Sequence, residues 1–463
     1  MTYRMLRPRA PGFTLIELMI AMVLGLLVAA GIVTVFASTS SSNKAQNQLA
    51  QLQEAGRFAV TRISTDLRMA NGQYCTNTGG AAITGSGGSM LDQIRAPKVY
   101  AKKLIGAAGA VSGALGDVTT AWGAGSYPVA PTAPYSMPSF LFMRGYDCTT
   151  AGCLPVDPHA TIGSIPAMGV ALGSRVKGAD VLTVRYVNPS SGWALGGTGS
   201  SLATSGSTGT ITSITLTPQT ASGEPSLSNI TNGDLFMLAD CSSAQIFPAT
   251  SSSAGTITPL ADTTNGFGTG IADLPTAQQP ESVPKVFDVN TDFQTVTYYL
   301  KLVSVNNDGK APLTGALMRR VNGGLKADGV TPVKPGASED ELVRGIERLD
   351  FRYGVQDAAG NTSFLTASQV DASTDCPPSE LNAITSTGCQ WRGVKSIEVS
   401  LLMDGQVPLY TLTGSQLDYG YSVDGSGVLP ISNHAIKPGD QGLPDPLLRR
   451  EFNVLIPVRN YNP

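Results

Sequence analysis

The sequence predicts an α+β fold, in which one long N-terminal helix precedes a β-rich head with many loops. Residues 13–37 form an apolar run with a single charge, and small or apolar residues then recur at helical spacing up to position 70. From Cys75 onward, short β-branched and aromatic stretches alternate with Gly, Ser, Pro and Asn, a pattern that predicts strands joined by turns. The 52 Gly and 30 Pro among 463 residues favour the same architecture.

The chain begins with a basic leader, residues 1–12, directly before the apolar run. Arg4, Arg7 and Arg9 lie in the leader, which contains no acidic residue. The 25 residues of positions 13–37 would form a helix about 37 Å long, which is enough to cross the hydrocarbon layer of a membrane. By the positive-inside rule, the leader lies in the cytoplasm and the chain after the span lies across the membrane.

Glu17 is the only charged residue in the apolar run. A cleaved secretory signal would have a shorter apolar core, and it would not carry a carboxylate near the start of that core. A plain single-span anchor explains the length of the run, but it does not explain a carboxylate that costs a few kcal/mol in hydrocarbon unless it is paired. Glu17 therefore indicates a role beyond anchoring.

Residues 38–71 continue the helix beyond the span as an amphipathic segment. One face carries small or apolar residues with spacings of three and four. These are Ala45, Leu49, Leu52, Gly56, Ala59, Ile63, Leu67 and Ala70. On the polar face, Arg62 and Asp66 have the spacing of a helical ion pair. The helix is predicted to run from Phe13 to Met69 and to stop at Asn71 and Gly72, with the glycine left-handed.

The head, residues 72–463, is predicted to consist mainly of strands. The candidate strands are residues 140–143, 181–187, 213–216, 235–238, 295–303, 316–320, 348–353, 396–403 and 452–458. Residues 190–228 and 250–281 are rich in Ser, Thr and Gly and contain little apolar material. They are therefore predicted to form long surface loops between strands.

The composition argues against most enzymes and against nucleic-acid binding. A net charge of −3 gives no electrostatic reason to bind a phosphate backbone, so no nucleic-acid partner is expected. The two histidines, His159 and His434, have no evident partner in the sequence and are expected at the surface. The chain contains no Walker A sequence, no Gly-x-Ser-x-Gly and no His-Glu-x-x-His. We expect no catalytic site, no cofactor and no metal.

Six cysteines follow the span and are expected to be oxidised, because they lie outside the cytoplasm. Cys148 with Cys153 and Cys376 with Cys389 would close short loops, which leaves Cys75 with Cys241 to join the end of the helix to the sheet. The connectivity stays open, because six cysteines allow many pairings. The spacing within the two close pairs does not fit a zinc site.

The segment Gly12-Phe13-Thr14-Leu15-Ile16-Glu17-Leu18-Met19 resembles the class III leader of type IV pilins and type II secretion pseudopilins. The resemblance implies that a prepilin peptidase cleaves after Gly12 and methylates the new N-terminus at Phe13. It also gives Glu17 a use, because in a packed filament its carboxylate can neutralise the amine of a neighbouring subunit's Phe13.

Several stretches of the helix and head resemble the minor pilins of the PilW type and keep their order along the chain. They are residues 52–59, 66–70, 180–186, 233–247, 296–300, 343–355 and 449–460. The resemblance implies a type IV pilin-like fold, with a long helix packed on an antiparallel β head. It also implies a structural role rather than an enzymatic one.

By this resemblance, the protein is a minor pilin that primes or caps the type IV pilus and serves twitching motility. Its partners would be other minor pilins, the major pilin, the prepilin peptidase and the inner-membrane assembly platform. It would be a single-span inner-membrane protein with a periplasmic head before assembly, and part of the surface pilus afterwards. Two alternatives remain open: a minor pseudopilin of a type II secretion system, and a pilus-tip adhesin or DNA-uptake subunit.

Overall fold

The computed structural model describes residues 12–72, 97–102, 104, 133–159, 165–206, 209–239, 244–251, 255–259, 266–267, 270–271, 283–326, 328–332, 336–356, 361–373, 388–410, 412–425 and 427–458. One long helix comes first, and a mostly antiparallel β head follows it. This arrangement confirms the predicted α+β, pilin-like class.

The helix α1, Leu15–Met69, begins at a capping box. The Thr14 side chain accepts from the backbone N–H of Glu17, and the Glu17 side chain accepts from the backbone N–H of Thr14. At the other end, Asn71 adopts the left-handed conformation with φ of 61°. The predicted end of the helix is confirmed, but the left-handed residue is Asn71 rather than Gly72, since Asn also tolerates this conformation.

The described head contains four further α-helices, all of them short, and 23 strands. The helices are α2 Val289–Asp292, α3 Ala367–Ala372, α4 Gly414–Leu417 and α5 Pro438–Gln441. The strands are β1 Lys98–Val99, β2 Tyr135–Ser136, β3 Met143–Cys148, β4 Cys153–Leu154, β5 Met168–Gly169, β6 Arg175–Val176, β7 Val181–Val187, β8 Trp193–Ala194, β9 Ser201–Thr204, β10 Ile211–Thr215, β11 Leu235–Ala239, β12 Ala244–Ser251, β13 Thr256–Pro259, β14 Lys285–Asp288, β15 Phe293–Ser304, β16 Leu313–Val321, β17 Ser338–Arg344, β18 Ile346–Gln356, β19 Thr362–Leu365, β20 Val394–Asp404, β21 Tyr419–Gly420, β22 Val428–Leu429 and β23 Arg449–Pro457.

The strands form three large sheets. One has the order β17-β16-β15-β7-β3-β4, and a second has the order β19-β18-β20-β23. The helix α1 contacts both of these sheets, through β7, β17, β20 and β23. The third sheet, β8-β14-β11-β12-β13-β10-β9, also carries β1 and β2.

The head-facing stripe of α1 is the face predicted from the sequence. Leu52, Ala59, Ile63 and Leu67 are buried, and they belong to the main hydrophobic core with residues of the first two sheets. At Gly56 the helix approaches β23 so closely that a Cβ would lie 2.6 Å from the ring of Phe452. The second half of α1 is therefore an integral layer of the head.

The strand predictions are confirmed for eight of the nine candidate segments, with small shifts in their ends. The exception is 140–143, where Ser139–Leu141 form a 3-10 turn and the strand starts only at Met143. Phe140, Leu141 and Phe142 are all buried. A run buried on every side carries no alternation to distinguish a strand from a turn.

The predicted long loop 190–228 is wrong in part, because it contains β8 and β9 as well as β10, which overlaps the candidate strand 213–216. The first part of 250–281 is likewise strand, and most of its remainder lies outside the described residues. These segments contain β8, β9, β10 and β13, which join the third sheet. Trp193, Ile211, Ile214 and Ile257 are buried there in a second hydrophobic core. Their apolar side chains are sparse along the chain, but the fold brings them together. Local composition therefore does not reveal the strands in these segments.

His434 is buried, which corrects the expectation of a surface histidine. Its ring Nδ1 lies 2.8 Å from Asp424 Oδ2, and the ring stacks on Tyr419 with centroids 3.7 Å apart. Asp424 also pairs with Arg348 of β18. These contacts fasten the segment between β20 and β23 onto the second sheet. The other histidine, His159, is half-buried, with Nδ1 2.6 Å from the carbonyl oxygen of Ile165.

A buried carboxyl at the end of β20 makes the stability of the head depend on pH. Burial and the nearby charge of Glu347 raise the pKa of Asp404 to about 7. Because this pKa is higher in the folded chain than in the unfolded chain, the stabilisation is complete below about pH 4 and is lost as pH rises through about 7.

We therefore expect Asp404→Asn to become relatively more stable than wild type as pH rises. The gain in unfolding free energy should grow by a few kcal/mol between about pH 5 and about pH 8, since each pKa unit is worth about 1.4 kcal/mol. Urea unfolding of the detergent-solubilised chain at both pH values measures it. Asp340→Asn, at an exposed position of β17, is the control. An identical difference at both pH values would contradict the prediction.

Candidate assembly site on the N-terminal helix

The residues predicted for processing and assembly lie together at the exposed start of α1. Phe13 is 90% exposed, and a Cβ placed on Gly12 would have no atom within 4 Å. Glu17 Oε2 accepts from the backbone N–H and from the hydroxyl of Thr14, both at 2.9 Å. The carboxylate is thus directed at the N-terminal end of its own helix, next to the predicted cleavage point.

The first half of α1 has no contact with the head. Every residue from Phe13 to Thr39 is exposed, and the most apolar window of the helix has a mean hydropathy of 2.7. Length and apolar composition make this the one helix of the described chain that could cross a membrane. Sixteen large apolar side chains from Phe13 to Phe36 are exposed, and they require an apolar environment from outside the chain.

A buried polar cluster fixes α1 on the head. Asp66 Oδ2 lies 2.6 Å from Arg319 Nε of β16, and Oδ1 lies 3.1 Å from Arg319 Nη2. The hydroxyl groups of Tyr186 and Tyr298 donate to the same carboxylate at 3.0 and 2.5 Å. The ion-pair partner of Asp66 is therefore Arg319, and the predicted helical pair with Arg62 is wrong.

The electrostatics of this cluster favour a charged pair. Burial alone raises the pKa of Asp66, but hydrogen bonding and the charge of Arg319, together with the two tyrosine hydroxyls, lower the pKa below its usual value. Burial and the carboxylate raise the pKa values of Tyr186 and Tyr298, which keeps both hydroxyls protonated as donors. One helical side chain thus joins three strand residues from β7, β15 and β16.

We expect Asp66→Ala to destabilise the chain by about 3 kcal/mol, because the largely buried Arg319 would be left without a counter-charge. Urea unfolding followed by near-ultraviolet circular dichroism measures the loss. Glu54→Ala, which removes an exposed carboxylate from the same helix, should change stability by less than about 0.5 kcal/mol. The double variant Asp66→Leu/Arg319→Met should recover part of the loss, and equal losses in Asp66→Ala and Glu54→Ala would contradict the assignment.

One of the expected disulfides is present: Cys148 and Cys153 are bonded across the β3–β4 turn. The buried guanidinium of Arg175 faces this disulfide, with Nη1 3.5 and 3.3 Å from the two sulfurs. Cys75, Cys241 and Cys376 lie outside the described residues, so the pairs Cys376–Cys389 and Cys75–Cys241 stay predictions. Over the described ranges, no group of three or more His, Cys, Asp or Glu is arranged to hold a metal ion.

Two family models match the chain, one at each end. Residues 7–33 match the Prokaryotic N-terminal methylation motif, which covers Gly12, Phe13 and Glu17. Residues 297–460 match Type IV Pilus-assembly protein W, over about a third of the chain. This region runs from within β15 through β23, and so includes the whole second sheet.

Comparison with curated proteins and with solved structures gave no match. Of the head segments that resemble PilW-type proteins, residues 343–355 and 449–460 fall inside the matched region, whereas 180–186 and 233–247 lie outside it. The family evidence therefore rests on the methylation motif and on the C-terminal half of the head. With the methylation motif at one end and the PilW region at the other, the chain matches a minor pilin of the PilW type, a pilin associated with the type IV pilus.

Proposed function

We propose that the protein is a structural minor pilin that primes or caps assembly of the type IV pilus. In this proposal, residues 1–12 are a cytoplasmic leader that is cleaved, and residues 13–37 are the membrane half of a spine helix. Residues 38–71 are its amphipathic half, and residues 72–463 are the head. The methylation motif and the PilW region support this division.

The observation that carries the proposal is the uncovered first half of α1. Its apolar side chains contact nothing in the head, and the capped Glu17 carboxylate lies at its tip. A lipid bilayer before assembly and the helices of neighbouring pilins afterwards would each cover this surface. A globular enzyme or a soluble binding protein would have no use for it.

The proposed partners all act on the N-terminal part of the chain. The prepilin peptidase would act at Gly12 and Phe13, and the assembly platform would extract the helix from the inner membrane. Major and minor pilins would pack along residues 13–37, with Glu17 pairing to the Phe13 amine of a neighbour. Both hydrogen bonds that the Glu17 carboxylate accepts from Thr14 use Oε2, which leaves Oε1 to accept from that amine.

Gene deletion with complementation tests the proposal. Loss of surface pili and of twitching, restored by the wild-type gene, supports it, and the protein should then be detected in sheared pili. Loss of secreted folded exoproteins with normal piliation would instead identify a pseudopilus subunit. Normal piliation together with lost adhesion or DNA uptake would identify a display subunit and overturn the priming role.

A further inference from the structure

The end of the head that faces the span carries an exposed apolar loop, residues 405–410, here called the basal loop. Val407 is 54% exposed and Tyr410 is 86% exposed, the largest exposure of any large apolar side chain described in the head. The sequence of this loop, Gly-Gln-Val-Pro-Leu-Tyr, contains no charge. Neither residue belongs to the assembly surface described above.

Contacts with α1 show that the basal loop lies on the membrane side of the head. Leu401 of β20 pairs with Phe452, which packs on Gly56 of the helix. Further along the same strand direction, the Gln48 side chain donates to the carbonyl of Val407 at 3.0 Å. Moving from β20 into the basal loop therefore leads back along α1 from position 56 to position 48, which is toward the span.

The lower edge of the head lies close to the expected bilayer surface. Partial burial of α1 begins at Ser40 and Ser41 and recurs at Ala45 and Leu49, whereas Ser42 and Lys44 are exposed. Ser40 is three residues, or about 4.5 Å, past the end of the apolar run. The polar layer of a bilayer leaflet is about 5 to 7 Å thick, so the head starts where the headgroups lie.

Hydrogen bonds hold the backbone of the basal loop in place, and this fixes the positions from which its exposed side chains project. Gln406 N donates to Asp404 Oδ1 at 2.7 Å, and Leu409 N donates to the carbonyl of Pro446 at 2.8 Å. The Leu409 side chain is buried between the two exposed residues. The loop therefore turns Val407 and Tyr410 outward while its remaining residues anchor it.

We propose that, before assembly, the basal loop rests on the periplasmic lipid surface, with Tyr410 in the headgroup layer. The inference rests on the proposed membrane-anchored function. An amphipathic aromatic ring, a short apolar side chain and the absence of charge suit the boundary between headgroups and acyl chains. Lys44 is the first charged residue after Glu17 and is exposed near the lower edge of the head. Its ammonium group could contact lipid phosphates of the same leaflet. The contact would fix the orientation of the head relative to the membrane.

A tryptophan reporter tests the proposal in the full-length protein, reconstituted into vesicles of phosphatidylethanolamine and phosphatidylglycerol. Tyr410→Trp places the reporter on the basal loop, and Val330→Trp places it on the turn between β16 and β17. Val330 is 79% exposed. The β16–β17 turn follows Arg319, which contacts Asp66 near the end of α1 that is distant from the span, so Val330 lies away from the basal loop and is a matched control. The emission of wild type, which has three tryptophans, is subtracted as background.

Acyl chains brominated near the headgroup should quench the added emission at position 410 by about twofold and leave that at position 330 unchanged. Equal emission at 410 with and without bromine, in protein that floats with the vesicles, would overturn the lipid contact alone. Emission that is shielded only in assembled pili would overturn it too, and would assign the basal loop to a neighbouring subunit. Failure to float would contradict the membrane-anchored function, and this inference with it.

Discussion

Gly12→Val is expected to stop removal of the leader while leaving the fold unchanged. A side chain at position 12 meets nothing within 4 Å, and the neighbouring Phe13 is 90% exposed, so no packing inside the chain depends on this glycine. Any loss must therefore come from an outside protein that reads the position. The uncleaved chain should remain in the inner membrane and be absent from sheared pili.

Mass spectrometry of the N-terminal peptide measures this result directly. Wild type should yield a peptide that begins at methylated Phe13, and Gly12→Val should yield one that retains residues 1–12. Gly25→Val is the matched control, because a Cβ at that position also meets nothing within 4 Å and the glycine lies inside the same helix. Processing of Gly25→Val should be normal. A methylated Phe13 in Gly12→Val, or a mature end near Ala37, would contradict the assignment.

The helix and most of the strands were predictable because their signals are local. The spacing of Leu52, Ala59, Ile63 and Leu67 specifies one face of a helix, and each of the four is buried. The strand predicted at 181–187 has the same bounds as β7, since its β-branched residues are bounded by turn residues. The start of α1 was equally readable, because leader, span and Glu17 are contiguous in the chain.

The contacts that assemble the head were not predictable from a single sequence. Asp66 and Arg319 are 253 positions apart, so helical spacing suggested Arg62 as the partner instead. The second core collects isolated residues such as Trp193 and Ile257 from segments whose average composition is that of a loop. His434 likewise shows no sign of burial in the sequence, because Asp424 and Tyr419 become its neighbours only through folding.

The candidate site also contains residues that the sequence predicts and a contact that it does not predict. Gly12, Phe13 and Glu17 were identified from sequence and lie together at the tip of α1. The sequence did not indicate that Thr14 would hold the Glu17 carboxylate through two hydrogen bonds of 2.9 Å. That contact provides a second reason for a carboxylate at position 17, since a capping box stabilises the start of a helix even when no neighbouring subunit is present. The capping role and the pairing role have different consequences on substitution.

Glu17→Ala is expected to reduce incorporation into pili about tenfold, which corresponds to about 1.4 kcal/mol of lost pairing. Insertion and cleavage at Gly12 should be unaffected, since alanine makes the span more apolar and is the strongest helix former. The measurement compares the membrane pool with the sheared-pilus pool of each variant, normalised to wild type.

Glu17→Gln separates the two roles of the carboxylate. Glutamine keeps the side-chain oxygen that accepts from Thr14, so a purely capping role predicts normal incorporation. Pairing with the Phe13 amine of a neighbour needs the negative charge, so in that case Glu17→Gln should fail like Glu17→Ala, while Glu17→Asp should retain part of the activity. Glu54→Ala, at an exposed position on the same helix but outside the span, tests for a general effect of removing charge. If Glu17→Ala enters pili as well as wild type does, Glu17 has no part in assembly, and its proposed pairing with Phe13 is wrong.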